Sequence, residues 1–522
     1  MASRLAGRGD RSFGSIDSTP WAHPFLTADR IERFRNYSDE IQTFALARRA
    51  RRPRKLNAAF AVNMAQNMYK WAKLANKYGA EATLYLNPQD TSAISRPEWE
   101  EFDGTHPDIF DGPGFLRAHP DLTARTPCVE APNSGSEFLT AYQHAPALSR
   151  LQRWVKSAAA AISPDLGFSL FRSDALVALQ RRAPTVRHRA MLTLDGMYPY
   201  FSWAEMLSRH EVTYIASSPF PAYASGKPYC IFSVGGDLQI DCGRADDWGR
   251  AMRMAFASAR FILASNPHTL GHCRRLGFSN AAYLPYPMDS DEYCPGEGRA
   301  RGDWIKQFGG DVFVLATARI DSGVKGQTGG MQEALFRVVE QRPSVRFLFL
   351  SWGKDAEELK ARAAARGLQD RVLLLEPAGK KRLIDYYRSC DVVLDQFVYG
   401  YYGTTALEAA AIGKPVVMKL RADQYAPLYC GDVAPVEQAG TPDEVQTTLL
   451  ALVDSAERRA ERGRDMRAWL VRNHGEQKTA PLMLAMLQLA ADQVRLPRGL
   501  DNPLTDPLSA DERAYHERCR QS

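Results

Sequence analysis

Arg319 and Lys325 stand six residues apart in the loop Thr317-Ala318-Arg319-Ile320-Asp321-Ser322-Gly323-Val324-Lys325-Gly326. The loop follows an apolar run of strand length, Val312 to Ala316, so both charges lie at the carboxyl end of a strand. Arginine meets phosphate bidentately and lysine acts as a point charge, so the pair suits a diphosphate. Two solvated surface charges are the alternative. Further on, Tyr399 to Val417 reads as a glycine-bearing loop, a helix start, the carboxylate Glu408, a stop at Gly413 and a buried strand. A helix start at Gly403, Thr404 and Thr405 presents free N–H groups and a partial positive charge to an anion. Glu408, a turn further in, is placed to accept hydrogen bonds from ribose hydroxyls. An ordinary helix–strand joint, with Gly413 at the C-cap and Pro415 beyond it, is the competing reading.

These words resemble the donor-site motif of retaining GT-B glycosyltransferases, glycosyltransferase family 4 (group 1), which runs Glu-x7-Glu, Ala, a short apolar stretch, Gly and Pro-Val. Glu408-Ala409 with Gly413-Lys414-Pro415-Val416 matches its second half; the place of the first Glu is taken by Gly400. The resemblance implies that the missing Glu would meet the donor sugar ring, and that Asp395 and Gln396 supply polar contacts in its stead. Arg319 and Lys325 resemble the family's Arg…Lys-Gly pair at the donor diphosphate. In the earlier half, Lys227-Pro228-Tyr229-Cys230-Ile231-Phe232-Ser233-Val234-Gly235-Gly236-Asp237 resembles the family's Lys-Pro, apolar strand and His-Gly-Ser-Asp-like turn. Gly235, Gly236 and Asp237 would then face the ligand, with a helix N-cap as the alternative for Asp237.

The fold so implied is α/β, of the GT-B type: two Rossmann-like parallel-sheet domains facing a central cleft. The implied reaction moves a sugar, a hexosyl group by expectation, from a nucleotide sugar to an acceptor hydroxyl with retention. Arg319, Lys325 and Asp237 carry the catalytic roles; Glu408, Gly403, Thr404, Thr405, Asp395, Gln396, Gly235 and Gly236 bind the donor. No cofactor and no metal are expected, since the one Asp-x-Asp triplet, Asp289-Ser290-Asp291, runs toward a linker. Glycan, lipid-linked and small-molecule acceptors all fit. Two other readings are a sugar-nucleotide-binding protein of the same fold without turnover, and a sugar-nucleotide epimerase using histidines such as His188, His210, His268 or His272.

Elements must position these residues. Leu56 to Val62 reads as a strand, Asn63 to Asn67 as a polar turn, Met68 to Tyr78 as a helix and Ala82 to Leu86 as a second strand, a parallel βαβ unit. Strands follow at Arg189 to Leu194, Val212 to Ala216, Tyr229 to Val234 and Arg260 to Ala264. The α/β rhythm restarts at Val312. The expected domains are an extension over 1–54, a first Rossmann-like domain over 55–295 for the acceptor, and a second over 303–478 for the nucleotide sugar. A helix over 479–496 crosses back, and the tail 497–522 is read as mobile. Residues 87–135, rich in Pro, Gly and Asp, form a long loop that serves the acceptor side or covers the flank.

With 522 residues the chain exceeds one ordinary core. Apolar content of 45% and charged content of 24% are globular values. A net charge of +6 without a concentrated basic stripe argues against nucleic acid and fits anionic small ligands. The eight cysteines form no Cys-x-x-Cys pair, so reduced thiols in a cytoplasmic protein are the default. No apolar run is long enough to span a bilayer. The basic run from Arg48 to Lys55 is read as a solvated lead, with attraction to anionic lipid at the inner membrane face as the alternative.

Overall fold

The computed structural model describes residues 26–521 other than 88–89, 91, 131–205, 246 and 326–329. The apolar runs form two sheets. The first contains β1 (Asn57–Ala61), β2 (Glu81–Leu86), β3 (Cys128–Glu130), β4 (Val212–Ala216), β5 (Tyr229–Phe232), β6 (Phe261–Ala264) and β7 (Ala281–Tyr283), in the order β3-β2-β1-β4-β5-β6-β7. The second contains β8 (Val312–Ala316), β9 (Val345–Leu350), β10 (Val372–Leu375), β11 (Val392–Leu394), β12 (Val416–Met418) and β13 (Glu437–Gln438), in the order β10-β9-β8-β11-β12-β13. Pairings are parallel throughout, for example Ala58 with Val212 and Val392 with Val314. Such sheets need helices on both faces, and the central strand β8 is accordingly buried at every position. The expected strand Arg189 to Leu194 lies outside the described residues.

In each sheet the strand order reverses beside the first strand, between β1 and β4 and between β8 and β11. Doubly wound sheets bind ligands outside the carboxyl ends of the strands at such switch points. The loops that matter are therefore those after β1, β4, β8 and β11.

The helices used below are α1 (Ala28–Arg51), α2 (Asn67–Lys77), α3 (Pro97–Glu101), α4 (Pro267–Leu276), α5 (Lys380–Ser389), α6 (Thr404–Ile412), α7 (Ala422–Leu428), α8 (Glu476–Ala491) and α9 (Ala510–Gln521). α8 follows the second sheet in sequence but packs on α2, β4 and β5 of the first. Its residues from Leu482 to Ala490 are all buried, on every side of the helix. α1 supplies the cover: Ile31, Phe34, Ile41 and Ala45, at helical spacing, are buried on this face.

Two expectations are corrected. The described chain before the first strand, from residue 26, is not a solvated lead: α1 is built into the first lobe, and its basic end is tied down. Arg48 pairs with Asp492 at 3.1 Å, Arg49 donates to Gln488 at 2.6 Å, and Arg54 pairs with Asp492 and Glu211. Nor is the tail mobile. Arg274 of α4 is buried, and a buried guanidinium must be paired. Glu512 of α9 meets it at 2.5 Å, and the carbonyls of Pro503 and Asp506 accept its other N–H groups.

The long loop after β2 divides. Trp99, Phe102, Ile109 and Phe115 form a small core of their own with Ala93, while Phe110 stays exposed.

Phe34→Ala removes a buried aromatic from the face α1 gives to the first lobe. The expected loss is about 3–5 kcal/mol of stability, read as a lower urea midpoint when unfolding is followed by tryptophan fluorescence.

Candidate active site

The turn after β1 holds three non-glycine residues at positive φ: Val62 at 61°, Ala65 at 47° and Gln66 at 69°. A β-branched residue there is strained and persists only when its surroundings over-determine it. Asn63 does so. Its amide donates to Gln66 Oε1 at 3.1 Å and to the Ser95 carbonyl at 2.8 Å, and its Oδ1 accepts the Tyr69 N–H at 2.9 Å. The turn thereby aims the first turns of α2, including Lys70, at the second lobe.

Lys70 crosses the seam. Its Nζ lies 2.7 Å from Glu408 Oε1 on α6, and Lys380 Nζ, at the start of α5, lies 2.8 Å from the same oxygen. Tyr387 O–H donates to Glu408 Oε2 at 3.3 Å. Glu100 stands 4.0 Å from Lys70 and accepts the Tyr293 hydroxyl at 2.9 Å. Glu408 is 1% exposed, so burial opposes its charged form, yet the Lys380 and Lys70 ammoniums outweigh burial and hold its carboxyl at about 2. Burial likewise works against the Lys70 ammonium, but Glu100 and Glu408 keep its pKa above the ordinary value. Burial, with a smaller push from Glu292, drives the Glu100 carboxyl up against the pull of Lys70, Lys380 and Lys73. Glu408 is thus committed to two lysines rather than open to ribose hydroxyls.

A strap closes the same seam. Thr105 and Ala378 form an antiparallel bridge, the His106 N–H reaches the Pro377 carbonyl at 3.0 Å, and the Gly379 N–H reaches the Gly104 carbonyl at 3.0 Å. Gly379 has to be glycine, because a Cβ there would stand 2.4 Å from the Phe102 carbonyl oxygen. Asp103 pairs with Arg299 at 2.9 Å and with Arg382 at 3.3 Å, and Lys381 pairs with Glu101 at 3.1 Å.

Around the second switch point, Thr317 after β8 meets Tyr387 at 2.8 Å and Thr405 at 3.2 Å, while its carbonyl accepts the Trp352 indole N–H at 3.0 Å. The Phe397 N–H donates to the Lys325 carbonyl at 2.9 Å. The cation loop and the start of α6 are therefore neighbours. Arg319 is exposed, 3.7 Å from Asp321; Lys325 is half-buried, and its ammonium draws down the carboxyl of Asp395, which burial pushes up. Gly403, Thr404 and Thr405 are half-buried, and space is open where a Cβ on Gly403 would stand.

Three polar residues expected at the ligand are instead absorbed by the fold. Gln396 is 1% exposed: its amide donates to the carbonyls of Tyr401 and Lys419, and its Oε1 accepts the N–H groups of Val398, Tyr399 and Gly400. Asp395, also buried, lies under the helix start at 3.4 Å from the Gly403 N–H. Asp237 folds its own turn, accepting from Ser233 Oγ at 2.7 Å and from the N–H groups of Val234, Gly235 and Leu238. Burial exceeds these bonds and lifts its carboxyl to about 6. A short turn leaves its backbone donors without ladder partners, and the nearest carboxylate or amide is drawn in to satisfy them. Space is open where a Cβ on Gly236 would stand.

The seam also holds residues that sequence reasoning passed over: Lys70, Lys380 and, as a site residue, His268. The signal for Lys70 was a lysine between Tyr69 and Trp71 on a helix whose neighbours are apolar. The His268 ring lies 4.9 Å from the Tyr401 ring of the other lobe, and its Nε2 is 3.7 Å from where a Gly235 Cβ would be. Burial pulls its pKa to about 4, so it is neutral at pH 7. His210 lies between Tyr85 and Asn57, and His188 lies outside the described residues. Among the described residues one carboxylate group has metal-like spacing, Asp289, Asp291 and Glu476. The Lys77 ammonium already sits among them, at 3.2, 2.8 and 3.8 Å.

Residues 312–426 match the family described as Glycosyl transferases group 1. The second lobe carries a group 1 glycosyl transferase domain. The chain is 45% identical over 145 residues to a D-inositol 3-phosphate glycosyltransferase of Xylanimonas cellulosilytica, covering 26% of this chain and 33% of that protein. It is 31% identical over 140 residues to a protein of the same name from Mycobacteroides abscessus, covering 25% and 29%. The whole fold is similar to Anabaena HepE in complex with UDP and glucose, with a TM-score of 0.52 at 14% identity over 84% of this chain and 99% of that one. It is also similar to sucrose-phosphate synthase of Thermosynechococcus elongatus, with a TM-score of 0.50 at 12% identity over 84% and 100%. The likeness is one of fold, two parallel-sheet α/β lobes of the GT-B type.

Glu408→Gln leaves two buried ammoniums without their anion and is expected to destabilise the protein by about 3–5 kcal/mol. Because the folded carboxyl titrates below its unfolded value of ~4.3, its stabilisation is complete above that pH and is withdrawn as pH falls toward 2. Melting temperatures across pH 2–6 should therefore converge for wild type and variant at the acid end.

Proposed function

We propose that the protein is a retaining glycosyltransferase that moves a sugar, a hexosyl group by preference, from a nucleotide-sugar donor to an acceptor hydroxyl. The observation that carries this reading is that the loop bearing Arg319 and Lys325 is joined to the open helix start at Gly403–Thr405 through the Thr317–Thr405 contact. All of it lies at the switch point of the domain that matches group 1 glycosyl transferases. A departing nucleoside diphosphate accumulates charge as the glycosidic bond breaks. Two cations and the N–H groups of α6, fixed before the reaction begins, stabilise that charge without reorganising. In this reading they supply the positive charge that a metal would bring, and no cofactor takes part.

The first lobe selects the acceptor, and the turn Ser233–Asp237 presents backbone at Gly235 and Gly236 to the donor. Asp237 acts by holding that turn. Glu408 acts by fixing Lys70 and Lys380 at the floor of the cleft. Closure of the two lobes excludes water that would otherwise hydrolyse the donor. HepE is described with UDP-glucose, which makes uridine nucleotide sugars the first donors to try.

The reading is tested by release of nucleoside diphosphate from a panel of donors. Arg319→Ala and Lys325→Ala should each lower kcat by about 10²–10³-fold, as for other preorganised charge-stabilising groups. A panel in which donors bind and none ever releases nucleotide, with any acceptor, points instead to a sugar-nucleotide-binding protein of the same fold. An inverted anomeric centre in the product, seen by NMR, overturns retention alone.

A further inference from the structure

Gly400 stands at φ +77°, and a Cβ on it would lie 2.4 Å from Cγ of Arg421. The Arg421 side chain therefore lies directly over the Gly400 backbone, and its own N–H donates to the Gly400 carbonyl at 2.8 Å. Arg421 follows β12 at its carboxyl end and caps α7, so it occupies the ligand-binding rim of the second sheet. It is half-buried, its Nε is buried, and none of its guanidinium nitrogens has a hydrogen-bond or ion-pair partner among the described residues. Asp423, two residues on, is exposed and forms no ion pair with it.

Other arginines withdrawn from solvent are treated differently. Arg467 donates to the carbonyls of Tyr293, Ala411 and Ser290, and Arg388 donates to the Cys294 carbonyl. A guanidinium carries five donors in a planar fork; the Nε–H of Arg421 is buried and unmet, a cost that a ligand meeting it relieves. The surroundings point into the seam. The Arg421 charge is felt by the neighbouring Tyr401, whose ring lies 4.9 Å from His268, which in turn abuts Gly235. Tyr425 of α7 bonds Asn266 at the start of α4 at 2.7 Å, which fixes α7 against the first lobe.

We propose that Arg421, on the rim where Tyr401 meets His268 of the first lobe, forms an anion-recognising subsite that takes a carboxylate or phosphate carried by one of the two substrates. This rests on the sugar-transfer reading of the cleft. Either the transferred sugar is a uronosyl-type, carboxylate-bearing group, or the acceptor bears a phosphate. Both offer paired oxygens that match the guanidinium fork. The diphosphate of the donor is served elsewhere, by Arg319, Lys325 and the start of α6.

The test is calorimetric titration of the full-length protein, and of Arg421→Gln and Arg421→Lys, with matched pairs of probes. One pair is UDP-glucuronate and UDP-glucose; the other is a sugar phosphate and its parent sugar, each added in the presence of UDP; UDP alone is the reference. Wild type should favour the charged member of one pair by about tenfold or more, a scale that a charge-assisted bidentate contact supplies. Arg421→Gln should lose that preference, Arg421→Lys should keep part of it, and both should bind UDP as wild type does. The pair that responds identifies which substrate carries the anion. Equal preferences in wild type and Arg421→Gln across both pairs overturn the proposal, as does a loss of UDP affinity in the variant that matches its loss for the charged probe. If wild type binds no nucleotide at all, the transfer reading fails, and the sugar-phosphate pair alone then decides the anion site. Because Arg421→Lys keeps the charge and most of the stem over Gly400, a folding defect confined to Arg421→Gln does not imitate the expected pattern.

Discussion

The buried bond between Lys70 of the first lobe and Glu408 of the second is the constraint on which the rest of the arrangement depends. Within a single lobe each group keeps fewer partners. Glu408 by itself would face one lysine, Lys380, and Lys70 would retain Glu100 at 4.0 Å as its ionic partner. Together the four groups alternate in sign and leave no net buried charge. Such clusters contribute less to stability than their Coulomb attraction suggests, since desolvation offsets most of it. What they do is penalise every other register of the lobes, because shifting one lobe breaks the 2.7 Å bond and leaves Lys70 with a partner 4.0 Å away. The strap at Gly104–His106 then adds backbone bonds that fix the same relationship from the flank.

Once the lobes are registered, the chemistry divides by accessibility. Carboxylates and amides near the cleft are spent on holding loops in shape: Gln396 on the loop before α6, Asp237 on the turn after β5, Asn63 on the strained turn after β1. What stays open is backbone and cation. Gly403 and Gly236 leave room for a ligand to approach the main chain, and Arg319 and Lys325 bring positive charge from a loop tied to the helix start. A site built this way suits an anionic leaving group, because its donors are fixed and its acceptors have been withdrawn.

The sheets were legible in the sequence because parallel strands buried on both faces read as short, nearly continuous apolar runs. Val312–Ala316, Val345–Leu350 and Val212–Ala216 are all of this kind. The cation loop and the start of α6 were legible because they abut such strands directly. Partnership across the cleft was not legible. That Lys70 and Glu408 meet depends on the turn at Val62–Gln66, whose left-handed residues include no glycine to announce it. The fate of Gln396 and Asp237 was hidden for a related reason: a polar side chain after a strand serves a ligand or its own loop according to which backbone donors lie unmet, and that is settled in three dimensions. The basic run at Arg48–Arg54 looked solvated because its partners, Asp492 and Gln488, lie at the far end of the chain.

That last separation bears on how the protein is made. The first sheet is translated early, yet α8, which fills one of its faces, and α9, which neutralises Arg274, are translated only after the second sheet. Nascent lobes ordinarily fold as they emerge. Here one apolar face of the first sheet has no cover until chain that comes after the second sheet has been made.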